Sequence, residues 1–296
     1  MTPLHVVTVD EAGFCFGVRR ALQLAQEATE GATPVYCLGP PIHNRQVVEK
    51  LEERGLKVVD DIDEVEEGAT ALVRAHGAGP NVYEIASQRG ITLIDATCPF
   101  VRRVQQAARR FVEEDYQVLV LGERDHPEAR AIVEHAGGKA LIIEDADELV
   151  EMSISSRVAI VCQTTQRLDN LHRLVDRILD LTSELRVENT ICDATTKRQE
   201  ASLQVAEQVD LMIVVGGYHS ANTTRLAQIC RNTGTPTYHI ETADELDPRW
   251  LEGKERIGIT AGASTPTEAI EEVRRYIESI SESRPQEETP HDEDAG

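Results

Sequence analysis

The sequence predicts an α/β fold in three repeated segments with mainly parallel sheets, and three observations support that prediction. A cysteine follows a short strand-like run and precedes a helical pattern three times: HVVTV leads to Cys15, ITLID to Cys98 and LRVEN to Cys192. Each cysteine is followed 24 residues later by a glycine that ends another strand-like run, Gly39 after VYCL, Gly122 after VLVL and Gly216 after MIVV. Strand-type runs alternate with helical periodicity along the whole chain, the pattern of parallel strands joined by helical crossovers.

The elements follow in order within each repeat. After Cys98, apolar Val101, Val104, Ala108 and Phe111 keep the spacing of one buried helix face, with Pro99 at the first helical position and Thr97 as the expected N-cap. FGVRRALQLAQEA after Cys15 and DATTKRQEASLQVAEQ after Cys192 are the corresponding helices. Beyond the glycine come the polar loops GPPIHNRQ, GERDHPEA and GGYHSANT, which place His43, His126 and Ser220 at one register position, and then a second helix. A strand with an acidic turn comes next, in VVDDIDEV, LIIEDADEL and HIETADEL. A last strand runs into a second polar loop, in ALVRAHGAG, VAIVCQTTQ and IGITAGAST, and a third helix closes the repeat. The repeats start near residues 1, 91 and 186. The expected domains are 1–97, including the N-terminal strand, 98–191 and 192–280, with 281–296 as a disordered acidic tail.

Composition narrows the function. Among 296 residues, 30 basic and 52 acidic side chains leave a formal net charge of −22, which argues against a general nucleic-acid surface and against an anionic membrane surface. Only five of the basic residues are lysines. The N-terminus lacks the basic start and apolar run of a signal peptide, and no apolar run is long enough to span a membrane. Six scattered cysteines without local pairs point to a reducing cytoplasm.

The chemistry is expected at the carboxyl ends of the strands, where open α/β sheets collect ligands. If a pseudo-threefold axis relates the repeats, Cys15, Cys98 and Cys192 converge there with His43, Asn44, His76, His126, Glu128, Thr164, Thr165, Ser220, Asn222 and Ser264. A helix N-terminus carries partial positive charge and free N–H groups, which lower a thiol's pKa and prime it for metal. Three cysteines suit an iron–sulfur cube with one iron left open, since electron-carrying clusters use four. Structural zinc competes, although it favours four ligands and local C-x-x-C pairs, and small core cysteines are the bland reading. Cys37, Cys162 and Cys230 lie in or beside apolar runs and read as core. The loop histidines, serines and Asn222 offer neutral donors to an anion such as phosphate, with little arginine involved. No P-loop or G-x-G-x-x-G supports a nucleotide cofactor. Glu128 could deliver a proton near a bound hydroxyl group, or it could simply be an N-terminal helix charge.

The motifs GFCFGV, IHNRQVV, AHG, DATCPFV, HPE, QTT, ICDATTKRQ, SANTTRL and TAGAS, in that order, resemble the IspH/LytB family of 4-hydroxy-3-methylbut-2-enyl diphosphate reductases. The similarity covers nearly everything outside the acidic tail. It implies three pseudo-threefold-related α/β domains around one central [4Fe–4S] cluster per chain, with Cys15, Cys98 and Cys192 as ligands. It implies Glu128 as the proton source, with Thr164 and His126 supporting it. His43, His76, His126, Ser220, Asn222 and Ser264 would cradle the substrate diphosphate. It also implies a cytoplasmic monomer that takes electrons from reduced ferredoxin or flavodoxin. One departure stands out: some relatives have a second serine where this chain has Ala221, so one side-chain donor is missing. The alternatives are a non-redox iron–sulfur dehydratase, an iron–sulfur or phosphate-ligand sensor, and a zinc-stabilised binding domain.

Overall fold

The computed structural model describes residues 4–31, 34–42 and 44–282. The first repeat contains β1 (His5–Thr8), α1 (Phe16–Thr29), β2 (Val35–Leu38), α2 (Arg45–Glu52), β3 (Leu56–Val59), β4 (Thr70–Val73) and α3 (Pro80–Gln88). The second contains β5 (Thr92–Asp95), α4 (Pro99–Glu113), β6 (Gln117–Leu121), α5 (Pro127–His135), β7 (Leu141–Ile143), β8 (Arg157–Cys162) and α6 (Leu168–Ile178). The third contains β9 (Glu184–Val187), α7 (Asp193–Ala206), β10 (Leu211–Val215), α8 (Ala221–Asn232), β11 (Thr237–Ile240), β12 (Arg256–Ala261) and α9 (Thr267–Glu282). Each acidic turn is a short 3-10 segment, at Ile62–Glu64, Ala146–Glu151 and Ala243–Glu245.

Among the described residues the strands form three four-stranded sheets, ordered β3-β2-β4-β5, β7-β6-β8-β9 and β1-β12-β10-β11. Every pairing is parallel. In the first two sheets, the strand that precedes the next cysteine takes the edge beside the third strand. The same rule explains the N-terminal strand. The sequence reading groups it with residues 1–97, but β1 pairs with β12, from His5↔Arg256 to Thr8↔Ile259. It fills the edge that β5 and β9 fill in the other sheets, where a strand finds backbone partners it lacks alone.

The chain forms two compact units. One comprises the described residues up to Gly13, Gln199–Tyr218 and those from Thr223 onward, and holds the β1-β12-β10-β11 sheet. The other comprises Phe14–Arg198 and His219–Asn222, and holds the other two sheets. The central strands VLVL of β6 and VAIVC of β8 are buried on both faces, as crossover helices demand. Cys37, Cys162 and Cys230 are fully buried among apolar side chains, and burial pushes each thiol up to about 12. Of the expected tail, residues 281 and 282 continue α9 and the rest lies outside the described residues. No described helix is long and apolar enough to cross a membrane.

Candidate active site

The larger unit contains all three repeat cysteines, and each stands where a helix starts. Cys15 is the N-cap of α1, its Sγ accepting the Val18 N–H at 3.5 Å. Cys98 is the N-cap of α4 with Pro99 behind it, so the cap expected at Thr97 falls one residue later. The Thr97 N–H is instead held by Asp95 Oδ1 at 2.9 Å, in a turn that ends β5. Cys192 immediately precedes α7, and its carbonyl accepts from Thr195 and Thr196. The adjoining loops fix these positions: the Cys98 N–H donates to the Ala75 carbonyl at 2.9 Å, and the Cys192 N–H to the Thr164 carbonyl at 3.0 Å. Both bonds lie beyond the ends of the β4–β5 and β8–β9 pairings and tie the AHG and QTT loops to a cysteine.

The Cys15 and Cys98 thiols flank the same glycine. A Cβ built on Gly17 would fall 2.7 Å from Cys98 Sγ and 3.9 Å from Cys15 Sγ, so only a residue without a side chain leaves that space between the sulfurs. Negative charge on Cys15 or on Cys192 raises the Cys98 pKa, which places all three within electrostatic range. The expected lowering of the thiol pKa does not hold at Cys98 and Cys192. Burial pushes Cys98 up to about 11, and the Phe100 and Val101 N–H groups at the start of α4 offset this only in part. Cys192 is likewise raised by burial, against the N–H groups of Ala194 and Thr195. The three cysteines are half-buried and supply the sulfur donors that an iron–sulfur group would use, and Gly17 keeps a side chain out of the space beside the Cys15 and Cys98 sulfurs. Among the described residues, no group of three or more His, Cys, Asp or Glu side chains is placed to hold a single metal ion.

Carboxylate, hydroxyl and imidazole groups adjoin in the same unit. Glu128, in the first turn of α5, is 1% exposed. Its Oε1 accepts the Thr164 N–H at 2.6 Å and its Oε2 accepts the Thr164 hydroxyl at 2.9 Å. His126 is the N-cap of α5, and its Nδ1 accepts the Glu128 N–H at 3.1 Å. An accepting Nδ1 assigns the proton of the neutral ring to Nε2. The His76 ring meets that of His126 edge-on, with centroids 5.1 Å apart.

The other predicted site residues divide. Ser220 and Asn222 are buried at the start of α8 and belong to the cysteine-bearing unit. Asn222 Nδ2 is a buried donor with no hydrogen-bond partner, as a site built for an anion would have. Ser264 follows β12 in the other unit and is half-buried. His43 lies outside the described residues. Asn44 caps α2, its Oδ1 accepting from Val47 at 3.1 Å, and the Thr165 hydroxyl accepts from Gln163. Both side chains therefore have local roles.

Three residues of the unit escaped the sequence reading. Gly17 stands inside GFCFGV, where a glycine gives no chemical signal of its own. Gln105 interrupts the apolar face of α4, yet it is buried with Nε2 unpartnered, under the AHG loop. There a Cβ on Gly77, whose φ is +79°, would fall 2.4 Å from that nitrogen. A polar residue on an otherwise apolar helix face was the available signal. Arg198 is 3% exposed, its Nη1 donating to the Ala194 carbonyl at 3.3 Å, where little arginine was expected.

Comparison with known proteins bears on this geometry. The family model described as LytB protein matches residues 6–278. A 4-hydroxy-3-methylbut-2-enyl diphosphate reductase of Geotalea uraniireducens is 45% identical over 281 residues, 95% of this chain and 99% of the relative. The protein of that name from Pelobacter propionicus is 45% identical over 277 residues, 94% of this chain and 99% of its own. Among solved structures, the E-1-hydroxy-2-methyl-but-2-enyl-4-diphosphate reductase of Plasmodium falciparum superposes with a TM-score of 0.89 at 28% identity, covering 93% of this chain and 88% of that one. A structure of (E)-4-hydroxy-3-methyl-but-2-enyl diphosphate reductase, described as the terminal enzyme of the non-mevalonate pathway, gives a TM-score of 0.67 at 40% identity, covering 93% and 99%. With a family model spanning all three sheets and relatives matched over nearly their full length, the chain belongs to the LytB family.

Proposed function

We infer that the chain catalyses the two-electron reductive dehydroxylation of (E)-4-hydroxy-3-methylbut-2-enyl diphosphate to isopentenyl and dimethylallyl diphosphates, the last step of the non-mevalonate pathway. What supports this reading is the placement of Cys15, Cys98 and Cys192 at three helix starts of one unit, in a chain whose relatives are named reductases. Neither the dehydratase nor the sensor reading gains support from those relatives. All six cysteines are free thiols, as suits a reducing cytoplasm, where we place the enzyme.

Cys15, Cys98 and Cys192 would hold a [4Fe–4S] cluster, one per chain. When bound, it supplies single electrons together with a Lewis-acid iron that has no protein ligand. The chain's residues do the rest. Glu128 holds the proton for the departing hydroxyl group, and Thr164, bonded to both carboxylate oxygens, fixes the orientation of that acid. His126 presents Nε2–H to an anion, and His43, His76, Ser220 and Asn222 join it around the diphosphate. Ala221 lacks a hydroxyl group but opens α8, where the first backbone N–H groups have no intrahelical partner. Binding the remote diphosphate positions the reacting carbon–oxygen bond. Reduced ferredoxin or flavodoxin would supply the electrons.

The test is anaerobic turnover of the allylic alcohol diphosphate with dithionite and methyl viologen. Glu128→Gln should keep the fold and the iron content but lower the rate by about 10²–10⁴-fold. A normal rate in that variant would remove Glu128 from the proton path.

A further inference from the structure

The chain must receive electrons at a surface, and one surface beside the thiols pairs exposed phenylalanines with arginines. Phe16 and Phe100 follow Cys15 and Cys98 by one and two positions. They are 56% and 38% exposed, although the other two phenylalanines, Phe14 and Phe111, are half-buried and buried. Their helix starts are joined: Arg20 donates to the Asp95 and Thr97 carbonyls at 3.2 and 3.3 Å, and Gly17 abuts the Cys98 side chain. The charge here also runs against the whole. Residues 12–26 and 96–112 contain six arginines and no acidic residue, in a chain of net charge −22. At the cysteine ends of these helices stand exposed Arg19, Arg102 and Arg103. Asp95 and Glu188 offset part of that charge through ion pairs with Arg102 and Arg103.

We propose that this arginine-rimmed pair of phenylalanines, at the joined starts of α1 and α4, is the docking surface for a small acidic one-electron carrier protein. The proposal rests on the reductase reading. Charge complementarity selects the occupant: the chain's net charge of −22 disfavours an acidic partner in general, while the arginines here attract one. Exposed aromatic and arginine side chains are the types that anchor interfaces. The site also lies beside two of the three thiols, so the electron has a short path. Each docking passes one electron and leaves the carrier oxidised by one. Two dockings and two protons break the carbon–oxygen bond, one proton forming the new carbon–hydrogen bond and the other leaving in water.

The experiment uses the reconstituted enzyme and an acidic [2Fe–2S] ferredoxin as probe. Direct binding is measured alongside turnover with reduced ferredoxin and turnover with reduced methyl viologen, which needs no docking surface. Arg19→Glu, Arg103→Glu and Phe100→Ser are made separately, so that misfolding of one leaves the others. The expected result is a rise of about tenfold in the ferredoxin Kd and KM at low ionic strength, narrowing for the two charge reversals at about 0.5 M salt, with the viologen rate within about twofold of the parent. Unchanged ferredoxin affinity in all three variants would overturn the proposal, as would equal loss of the viologen-driven rate. If the parent binds ferredoxin through these residues yet never turns over the diphosphate with viologen, the reductase reading falls and the docking surface stands.

Discussion

Gly17 carries the most exacting requirement at the residue scale. Its missing side chain leaves room between the Cys15 and Cys98 sulfurs, and a methyl group there would fall 2.7 Å from Cys98 Sγ. Gly17→Ala should therefore fold, since alanine favours the helix, but take up much less iron on anaerobic reconstitution. Full iron content in that variant would show that the space is not used. The interior thiols make a second prediction. With Cys37, Cys162 and Cys230 pushed up to about 12 by burial, the folded state keeps protons that the unfolded state loses. Their contribution is complete below the ordinary thiol value of 9.0 and declines as pH rises from there toward 12. Iodoacetamide at about pH 8.5 should spare these three in folded protein and label all six after denaturation; mass spectrometry finding them labelled in folded protein would contradict their burial. The sequence exposed the cysteines of both kinds, because register separates the repeat thiols from those inside apolar runs. It did not expose the direction of the Cys98 and Cys192 shifts, because helix N–H donors are visible in a motif but burial by distant elements is not.

At the element scale, local pattern and long-range pairing part company. The repeat of strand, cysteine, helix, strand, loop and helix was legible because alternating and helical periods persist within each short run. The acidic turns were legible as turns but take 3-10 form, with Asp61 and Asp145 each completing a capping box with a glutamate three residues on. In the third repeat Thr242 makes no such side-chain bond. Asp61→Ala should therefore destabilise by about 1 kcal/mol in urea titration, while Thr242→Ala should change little. Equal effects would refute the capping assignment. The start of α4 was displaced from Thr97 to Cys98 because the Asp95 side chain competes for the Thr97 N–H. The sheet partner of β1 was illegible, since β12 lies about 250 residues away in the chain and no local signal encodes that pairing.

At the scale of the whole molecule, the charge of −22 acts on stability through particular pairings. Asp210 accepts the Arg256 and Glu255 N–H groups at 2.8 and 2.9 Å, which hold its carboxyl below the ordinary 3.8. A lowered carboxyl stabilises the fold above its unfolded value and loses that contribution as pH falls through the folded one. The gap in stability between parent and Asp210→Asn should therefore be full at neutral pH and shrink below 3.8; a gap independent of pH would contradict this. The family was legible from motif order alone, as the relatives at 45% identity confirm. The chain's division into two compact units was not, because the sequence presents three equivalent repeats. The central claim is that Cys15, Cys98 and Cys192 together hold an iron–sulfur group. The most direct measurement is iron and acid-labile sulfide per chain after anaerobic reconstitution, in the parent and in Cys98→Ser. About four of each in the parent, collapsing in the variant while the fold is kept, is the predicted result. An iron-free parent, or a variant that retains the full complement, would contradict it.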